Sequence, residues 1–163
     1  MMLDRSESEA GATNSFVTLA LKIIARRDVS ARELAKRLAK KGATPDIVQA
    51  VVEEMERLGY VNDRELALEH IRRGRDSRLV GRLLLTLELK QKGVAEDLIR
   101  DTLENLYPSE YEADVARLFI AKRYPRFDTS GDAKELRRVI SALERRGLRG
   151  ENITYHLLNN FNR

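Results

Sequence analysis

The stretch that decides the fold is a five-residue motif in which a leucine stands four positions before a glycine and a basic residue stands directly before that glycine. The motif occurs three times, as Leu38-Ala39-Lys40-Lys41-Gly42, Leu89-Lys90-Gln91-Lys92-Gly93 and Leu143-Glu144-Arg145-Arg146-Gly147. The successive glycines are 51 and 54 residues apart. Because self-similarity at such a period is the signature of repeat architectures, the sequence predicts tandem structural units.

Apolar residues around each glycine predict a helix on either side of it. They stand eight positions before each glycine and six and ten positions after it, and offsets of four place them on one helix face. These residues are Leu34, Leu85 and Val139, then Val48, Ile99 and Ile153, then Val52, Leu103 and Leu157. A glycine just past a last turn adopts the left-handed conformation at little steric cost, so each glycine should end one helix. The basic residue before it could serve the helix dipole or a binding role, and the motif favours neither.

Local capping signals agree with helices throughout the chain. Ser30 and Glu33 have the spacing of a capping box, and Val29 with Leu34 has the spacing of a hydrophobic staple. The predicted N-caps are Ser30, Thr44, Asn62 and Asp132. Since no stretch alternates convincingly between apolar and polar residues, we expect no sheet.

We therefore predict an all-α fold of three tandem three-helix repeats, stacked into an elongated curved body. A disordered tail over 1–15 should precede repeats over 16–58, 59–107 and 108–163. The predicted helices run near 16–27, 31–41, 45–58, 63–75, 79–92, 95–106, 109–123, 132–146 and 150–161, and the linkers fall at Gly59-Tyr60-Val61, at Tyr107-Pro108 and over 124–131. Units of about 45 residues are near the lower size limit for independent folding, so stacking should bury their apolar stripes.

Composition narrows the functional classes. The chain has 163 residues and no cysteine, which excludes disulfides and thiolate chemistry and fits a reducing cytosol. No apolar run approaches the roughly 20 residues that cross a bilayer. The net charge of +4 permits an acidic partner without establishing one. We expect a cytoplasmic monomer with no membrane association.

The sequence shows no catalytic constellation. The two histidines, His70 and His156, are not spaced as zinc ligands, and no glycine-rich loop follows a strand. His70 has the character of an ordinary surface or boundary residue, and Ser30 is better explained as a cap than as a nucleophile. We therefore predict a protein that is not an enzyme and uses no metal or cofactor.

Basic residues cluster in each predicted repeat. Arranged as ridges on helices, they could meet acidic patches on a protein partner or DNA phosphates, although any one of them could equally belong to a solvated helix face. The candidate binding residues are Arg26, Arg27, Lys36, Arg37, Lys40, Lys41, Arg72, Arg73, Arg82, Lys92, Arg137, Arg138, Arg145 and Arg146.

A leucine-rich segment in the second repeat is wider than one core stripe requires. It reads Leu83-Leu84-Leu85-Thr86-Leu87-Glu88-Leu89. One interpretation is packing against two neighbouring repeats. The other is an exposed apolar contact for a partner protein.

Three further motifs, taken with the repeat, resemble the RecX family of recombinase regulators. Arg26-Arg27-Asp28-Val29-Ser30-Ala31-Arg32-Glu33-Leu34 is similar to the family's Arg-x-x-Ser-x-x-Glu-Leu opening. Gly59-Tyr60-Val61-Asn62-Asp63, followed by Ala67, is similar to a family junction, and the run from Gly81 to Gly93 matches a family segment in spacing. The resemblance covers about residues 17–160. Leu66 and Arg82 depart from it, at positions where phenylalanine and proline are usual in the family.

The resemblance implies a protein that lies in the groove of a RecA-type recombinase filament and hinders ATP hydrolysis, strand exchange and filament growth. Such regulation acts by binding and needs no catalytic residue. The alternative is a non-specific DNA-binding helical protein that contacts single- or double-stranded DNA directly, since three-helix units with basic helices can imitate helix-turn-helix domains. A third possibility is a helical scaffold with no link to nucleic acid.

Overall fold

The computed structural model describes the backbone of residues 3–127, 132–149 and 153, and the side chains of these residues from 11 onwards. This part contains eight α-helices and no strand, which confirms the all-α prediction. The helices are α1 (Leu3–Ile24), α2 (Ala31–Lys40), α3 (Pro45–Arg57), α4 (Asp63–Arg73), α5 (Arg82–Lys92), α6 (Glu96–Leu106), α7 (Glu112–Arg123) and α8 (Ala133–Arg145). A π-helical turn spans Gly74–Arg78 and a 3₁₀ turn spans Ser109–Tyr111. The last predicted helix, near 150–161, lies outside the described residues apart from Ile153.

The three motif glycines end helices as predicted. Gly42, Gly93 and Gly147 have φ angles of +93°, +90° and +72°, in the region that a side chain would strain. After Gly42 and Gly147, the next amide donates back to the carbonyl of the motif leucine, at 3.2 and 3.1 Å. These bonds satisfy carbonyls that the end of a helix leaves without partners.

The four predicted N-caps are also confirmed. The hydroxyl of Ser30 accepts from the Glu33 amide at 3.0 Å, and the side chains of Asn62 and Asp132 accept backbone N–H groups at the same distance. Thr44 accepts at 3.5 Å, a longer and weaker contact. The starts of these four helices were therefore predictable from short-range sequence alone.

The chain forms two compact units, of which the first contains residues 1–66 and 92–94. Its core lies among α1, α2 and α3 and consists of Ala20, Val29, Leu34, Leu38, Val51, Met55 and Val61. The buried Ser30 hydroxyl donates to the Lys92 carbonyl, and the Ala31 amide donates to Asp63 Oδ1 at 2.9 Å. Both bonds tie the start of α2 to segments distant in sequence.

The second unit contains residues 67–91 and 95–163. Its fully buried side chains include Ile71, Leu85, Leu89, Ile99, Tyr107, Ile120, Leu143 and Leu148. Tyr107, which the sequence placed in a linker, is therefore a core residue. Gly81 donates its N–H to the Arg146 carbonyl at 2.8 Å, which joins the start of α5 to the turn after α8. Predicted repeats 2 and 3 fall largely within this unit, and their boundary stays a prediction.

Two helix starts differ from the expectation. The structure places residues 3–15 in α1, where the sequence indicated a disordered tail. Extending an existing helix adds one hydrogen bond per residue without a new nucleation step, so a polar extension can remain helical. α5 begins at Arg82 rather than near 79, because the π-helical turn is closed by Leu79 with a left-handed φ of 51°.

The leucine-rich segment of α5 divides between the core and the surface. Leu85 and Leu89 are fully buried, whereas Leu83 and Leu87 are 44% and 48% exposed. Leu84 packs at Gly147, where a Cβ on the glycine would lie 2.7 Å from the Leu84 Cβ. The width of the leucine run therefore reflects one buried face, one contact with the motif turn and a partly exposed edge.

Candidate partner-binding surface

Four of the candidate basic residues line a single groove in the first unit, beside the C-terminal ends of α1 and α2. The groove has a volume of about 450 Å³. Its lining, which we call the basic groove, consists of Leu19, Lys22, Ile23, Arg26, Arg37, Lys40 and Lys41. Residues spaced three or four apart share one face of a helix, which explains how two helices present this set together.

The positive charge of the basic groove is larger than the negative charge at the C-terminal ends of its two helices. Lys22, Arg26, Lys40 and Lys41 are exposed and form no ion pair within the described part of the chain. Two helix C-termini together carry about one negative charge. Four free cations therefore leave a surplus of roughly three positive charges, so the helix dipoles alone do not account for them.

Arg37 is held in the basic groove by a shared carboxylate. Its guanidinium lies 2.7 Å from Glu33 Oε1, and Arg27 binds the same oxygen. The Glu33 side chain is only 20% exposed. Glu33 therefore positions two arginines instead of completing the capping box through its side chain.

Four further candidates of the first two repeats also lie outside this groove. Lys36 is exposed on α2, and Arg72 is exposed on α4. Arg73 lies 3.8 Å from Glu69, a long pair between exposed side chains that contributes little. Lys92 is half-buried in the turn at Gly93. The structure does not gather these four into one site.

Arg82 has internal partners on two other helices. One Nη donates to the Tyr107 carbonyl at 2.9 Å, the other binds Glu104, and the Arg82 amide donates to Glu112 Oε1 at 2.8 Å. Its side chain is 19% exposed. Burial raises the pKa of the Glu112 carboxyl, while the bond from Arg82 opposes that shift. Arg82 thus anchors the start of α5 to the end of α6 and to α7.

We expect Arg82→Met to lower the free energy of unfolding by about 1–2 kcal/mol, because it removes a charged hydrogen bond to a part-buried carbonyl. Urea denaturation followed by circular dichroism measures the change. The control is Arg100→Met on α6, whose pairs with Asp97 and Asp101 are exposed, and it should leave the midpoint nearly unchanged. An unaltered midpoint for Arg82→Met, with weaker partner binding, would instead support the contact role that the sequence suggested.

The third basic cluster divides between a pocket and the open surface. Arg145 and Arg146 line a pocket of about 680 Å³ in the second unit, together with Arg78 and Arg123. Arg146 lies over the Phe119 ring at 4.5 Å, and Arg138 lies 6.0 Å from the Tyr124 ring. Arg78 and Arg123 are not among the candidate residues chosen from the sequence.

A partly buried polar cluster joins α4, the π-helical turn and α5. Glu88 binds His70 Nε2 at 2.7 Å and accepts from both Nη atoms of Arg78, at 2.8 and 2.5 Å. The bonds from Arg78, helped by His70, hold the pKa of Glu88 below its ordinary value although burial raises it. His70 therefore has a specific hydrogen-bonding partner, which its sequence context did not reveal.

Neither a metal site nor a membrane span emerges from the part of the chain that the structure describes. Within it, no three or more histidine, cysteine, aspartate or glutamate side chains stand close enough to hold an ion. None of the helices there combines the length and hydrophobicity of a bilayer crossing.

These features define a class: an all-helical protein built on a repeated motif, with cationic surfaces at the ends of its helices. Residues 18–55 match the family model of the first three-helix domain of RecX. The regulatory protein RecX of Halorhodospira halophila is 34% identical over 149 residues, which cover 90% of this chain and 89% of that protein. RecX of Mycobacterium marinum is 30% identical over 142 residues, covering 87% and 82% of the two chains. The chain belongs to the RecX family of regulatory proteins.

Solved structures agree with this fold. The crystal structure of RecX from Lactobacillus salivarius has a TM-score of 0.78 and 17% identity, covering 94% of this chain and 98% of that one. A second crystal structure of regulatory protein RecX has a TM-score of 0.74 and 17% identity, covering 96% and 79%. At this level of identity the likeness concerns the helical fold.

Proposed function

We propose that the protein binds the nucleoprotein filament of a RecA-type recombinase and modulates its ATPase and strand-exchange activities, mainly by inhibition. The proposal is supported by membership of a family of regulatory proteins. The observation that carries it is the basic groove, where exposed unpaired cations stand beside the apolar side chains of Leu19 and Ile23. A positively charged surface of this kind is electrostatically complementary to an acidic patch on a partner protein.

The proposed regulation is a shift between states of the filament. A bound protein changes that balance only through different affinities for the filament's states. Tenfold tighter binding to a slowly hydrolysing state corresponds to about 1.4 kcal/mol, which a few charged contacts supply. No side chain of the regulator has to take part in the reaction. We further propose a cytoplasmic monomer that acts without a cofactor.

The direct test is a recombinase ATPase assay on single-stranded DNA, with this protein titrated in. Inhibition that saturates with increasing protein supports filament binding. The DNA-binding alternative is separated by a salt series on bare DNA, because phosphate contacts give steeply salt-dependent affinity. Tight binding to bare DNA without inhibition of the recombinase ATPase would favour that alternative.

We expect Lys40→Glu/Lys41→Glu to raise the concentration for half-maximal inhibition at least about tenfold, since both reversals place like charges against an acidic patch. The control is Arg64→Glu/Lys134→Glu, which changes the net charge equally at two exposed residues outside the basic groove. It should inhibit almost as well as the unchanged protein.

Melting curves must accompany this comparison. Lys40 and Lys41 stand at the negative end of α2, where reversing a charge costs about 0.3–1 kcal/mol per residue. A neutral variant, Lys40→Gln/Lys41→Gln, should lose part of the inhibition with a smaller effect on stability. Full inhibition by the folded double-glutamate variant would remove both lysines from the contact surface.

A further inference from the structure

The pocket in the second unit has the composition of an anion site. We call it the arginine pocket and define it by Arg78, Phe119, Arg123, Tyr124, Arg145 and Arg146. Its volume of about 680 Å³ lies within the usual range for sites that bind small ligands. No carboxylate is among the described residues that line it.

The arginines of the pocket differ in whether a carboxylate neutralises their charge. The bonds to Glu88 neutralise Arg78. Arg123 and Arg145 are exposed and have no ion pair in the ranges that the structure describes, and Arg146 likewise faces no carboxylate there. The C-termini of α7 and α8 contribute about one negative charge between them. Three guanidiniums therefore leave an uncompensated charge of about two.

Arg146 is already fixed in position. Its guanidinium lies over the Phe119 ring and donates to the Arg78 carbonyl, while its own carbonyl accepts from the Gly81 amide at 2.8 Å. A guanidinium has five N–H donors, and one bond to a carbonyl leaves others for a ligand. Ordering this side chain costs little on binding, because the fold has already ordered it.

The same arrangement occurs at the corresponding place in the first unit. Arg145 and Arg146 precede Gly147 as Lys40 and Lys41 precede Gly42. In both units this basic pair lines a cavity with residues from the end of a preceding helix. The motif thus builds a cationic cavity twice, with lysines in one case and arginines with aromatic side chains in the other.

We infer that the arginine pocket binds phosphate groups. Arginine matches phosphate through paired N–H donors, and a phosphate offers three acceptor oxygens for guanidiniums that converge from two helices. The phosphate could belong to a free nucleotide or to a nucleic-acid strand, and both share this chemistry. The inference is independent of the proposed recombinase partner, because it concerns a different cavity and a ligand of its own.

The test compares Arg123→Gln/Arg145→Gln with the control Lys122→Gln/Lys134→Gln. The control removes two exposed charges from the same two helices outside the pocket. Fluorescence anisotropy measures binding to labelled oligo(dT) of about 16 nucleotides. A salt series of about 50–200 mM gives the slope of log affinity against log salt.

We expect the pocket variant to bind oligo(dT) at least about tenfold more weakly, with a slope shallower by about 1.4, since each lost phosphate contact on a single strand accounts for about 0.7. The control should retain both values within about twofold. Unchanged affinity and slope in the folded pocket variant would overturn the inference, as would equal loss in the control.

A second arm identifies the source of the phosphate. Thymidine monophosphate is titrated while the Nε–H resonances of the arginines are followed by NMR. Shifts confined to Arg123, Arg145 and Arg146 show a free-nucleotide site, and shifts only with oligo(dT) show a strand site. Poly-glutamate that displaces oligo(dT) and shifts the same resonances equally would mean that the pocket does not select phosphate, and would overturn the inference.

The test of the arginine pocket and the test of the proposed function can fail independently of each other. Recombinase inhibition is measured on the same variants and on Lys40→Glu/Lys41→Glu. Lost inhibition through the lysines, with unchanged oligonucleotide binding in the arginine variant, would refute the pocket and leave the regulator intact. Unchanged inhibition by Lys40→Glu/Lys41→Glu, with weaker oligonucleotide binding by the arginine variant, would support the pocket. It would refute the basic groove as the contact surface of the regulator.

Discussion

Gly81→Ala should destabilise the second unit by about 3 kcal/mol or more. A Cβ at this position would lie 2.2 Å from the Gly147 carbonyl oxygen and 2.8 Å from Glu112 Oε1. Overpacking that side chains can relieve costs about 1–3 kcal/mol. Here the obstacle is backbone, so the start of α5 must move away from the turn and weaken the Gly81–Arg146 hydrogen bond.

The control for this substitution is Gly11→Ala. Gly11 lies inside α1, and a Cβ there would meet nothing within 4 Å. Alanine at an open helical position should stabilise the protein by about 0.5–1 kcal/mol. Chemical denaturation, followed by circular dichroism and by tyrosine fluorescence, distinguishes the two directions. If Gly81→Ala unfolds at the same denaturant concentration as the unchanged protein, the turns at Gly81 and Gly147 do not approach each other as closely as they do in the structure.

The requirement for glycine at position 81 is a feature that the sequence alone does not predict. The motif glycines were predictable because a helix end, its left-handed residue and the apolar spacing all lie within a few positions of one another. The need for glycine at 81 arises from a segment 66 residues further along the chain. Neither composition nor periodicity carries information on such an approach, so only the tertiary structure reveals it.

The spatial grouping of the basic residues was predictable to a similar extent. Helical spacing brought Arg37, Lys40 and Lys41 to one face, and the structure places them together in the basic groove. The same reasoning grouped Arg82 with the exposed cations, although its partners on α6 and α7 are internal. A positive residue looks alike in sequence whether its partner is solvent, a ligand or a carbonyl of another helix.

Leu38→Ala should lower the free energy of unfolding of the first unit by about 2–5 kcal/mol. Leu38 is fully buried among α1, α2 and α3, and its truncation removes apolar contacts and leaves a cavity. The control is Leu21→Ala on α1, where the leucine is 39% exposed and surface substitutions usually change stability by less than about 0.5 kcal/mol. Thermal and urea unfolding measure both variants.

The same substitution separates folding from binding within α2. Leu38 faces the core, whereas its neighbours Arg37, Lys40 and Lys41 line the basic groove. At a temperature where Leu38→Ala is still folded, its inhibition of recombinase ATPase should equal that of the unchanged protein, and it should fall only as the first unit unfolds. Leu38→Met, which nearly conserves volume, should cost less than about 1.5 kcal/mol. An alanine variant that melts normally would show that the motif leucine is not the core residue that its spacing and burial make it.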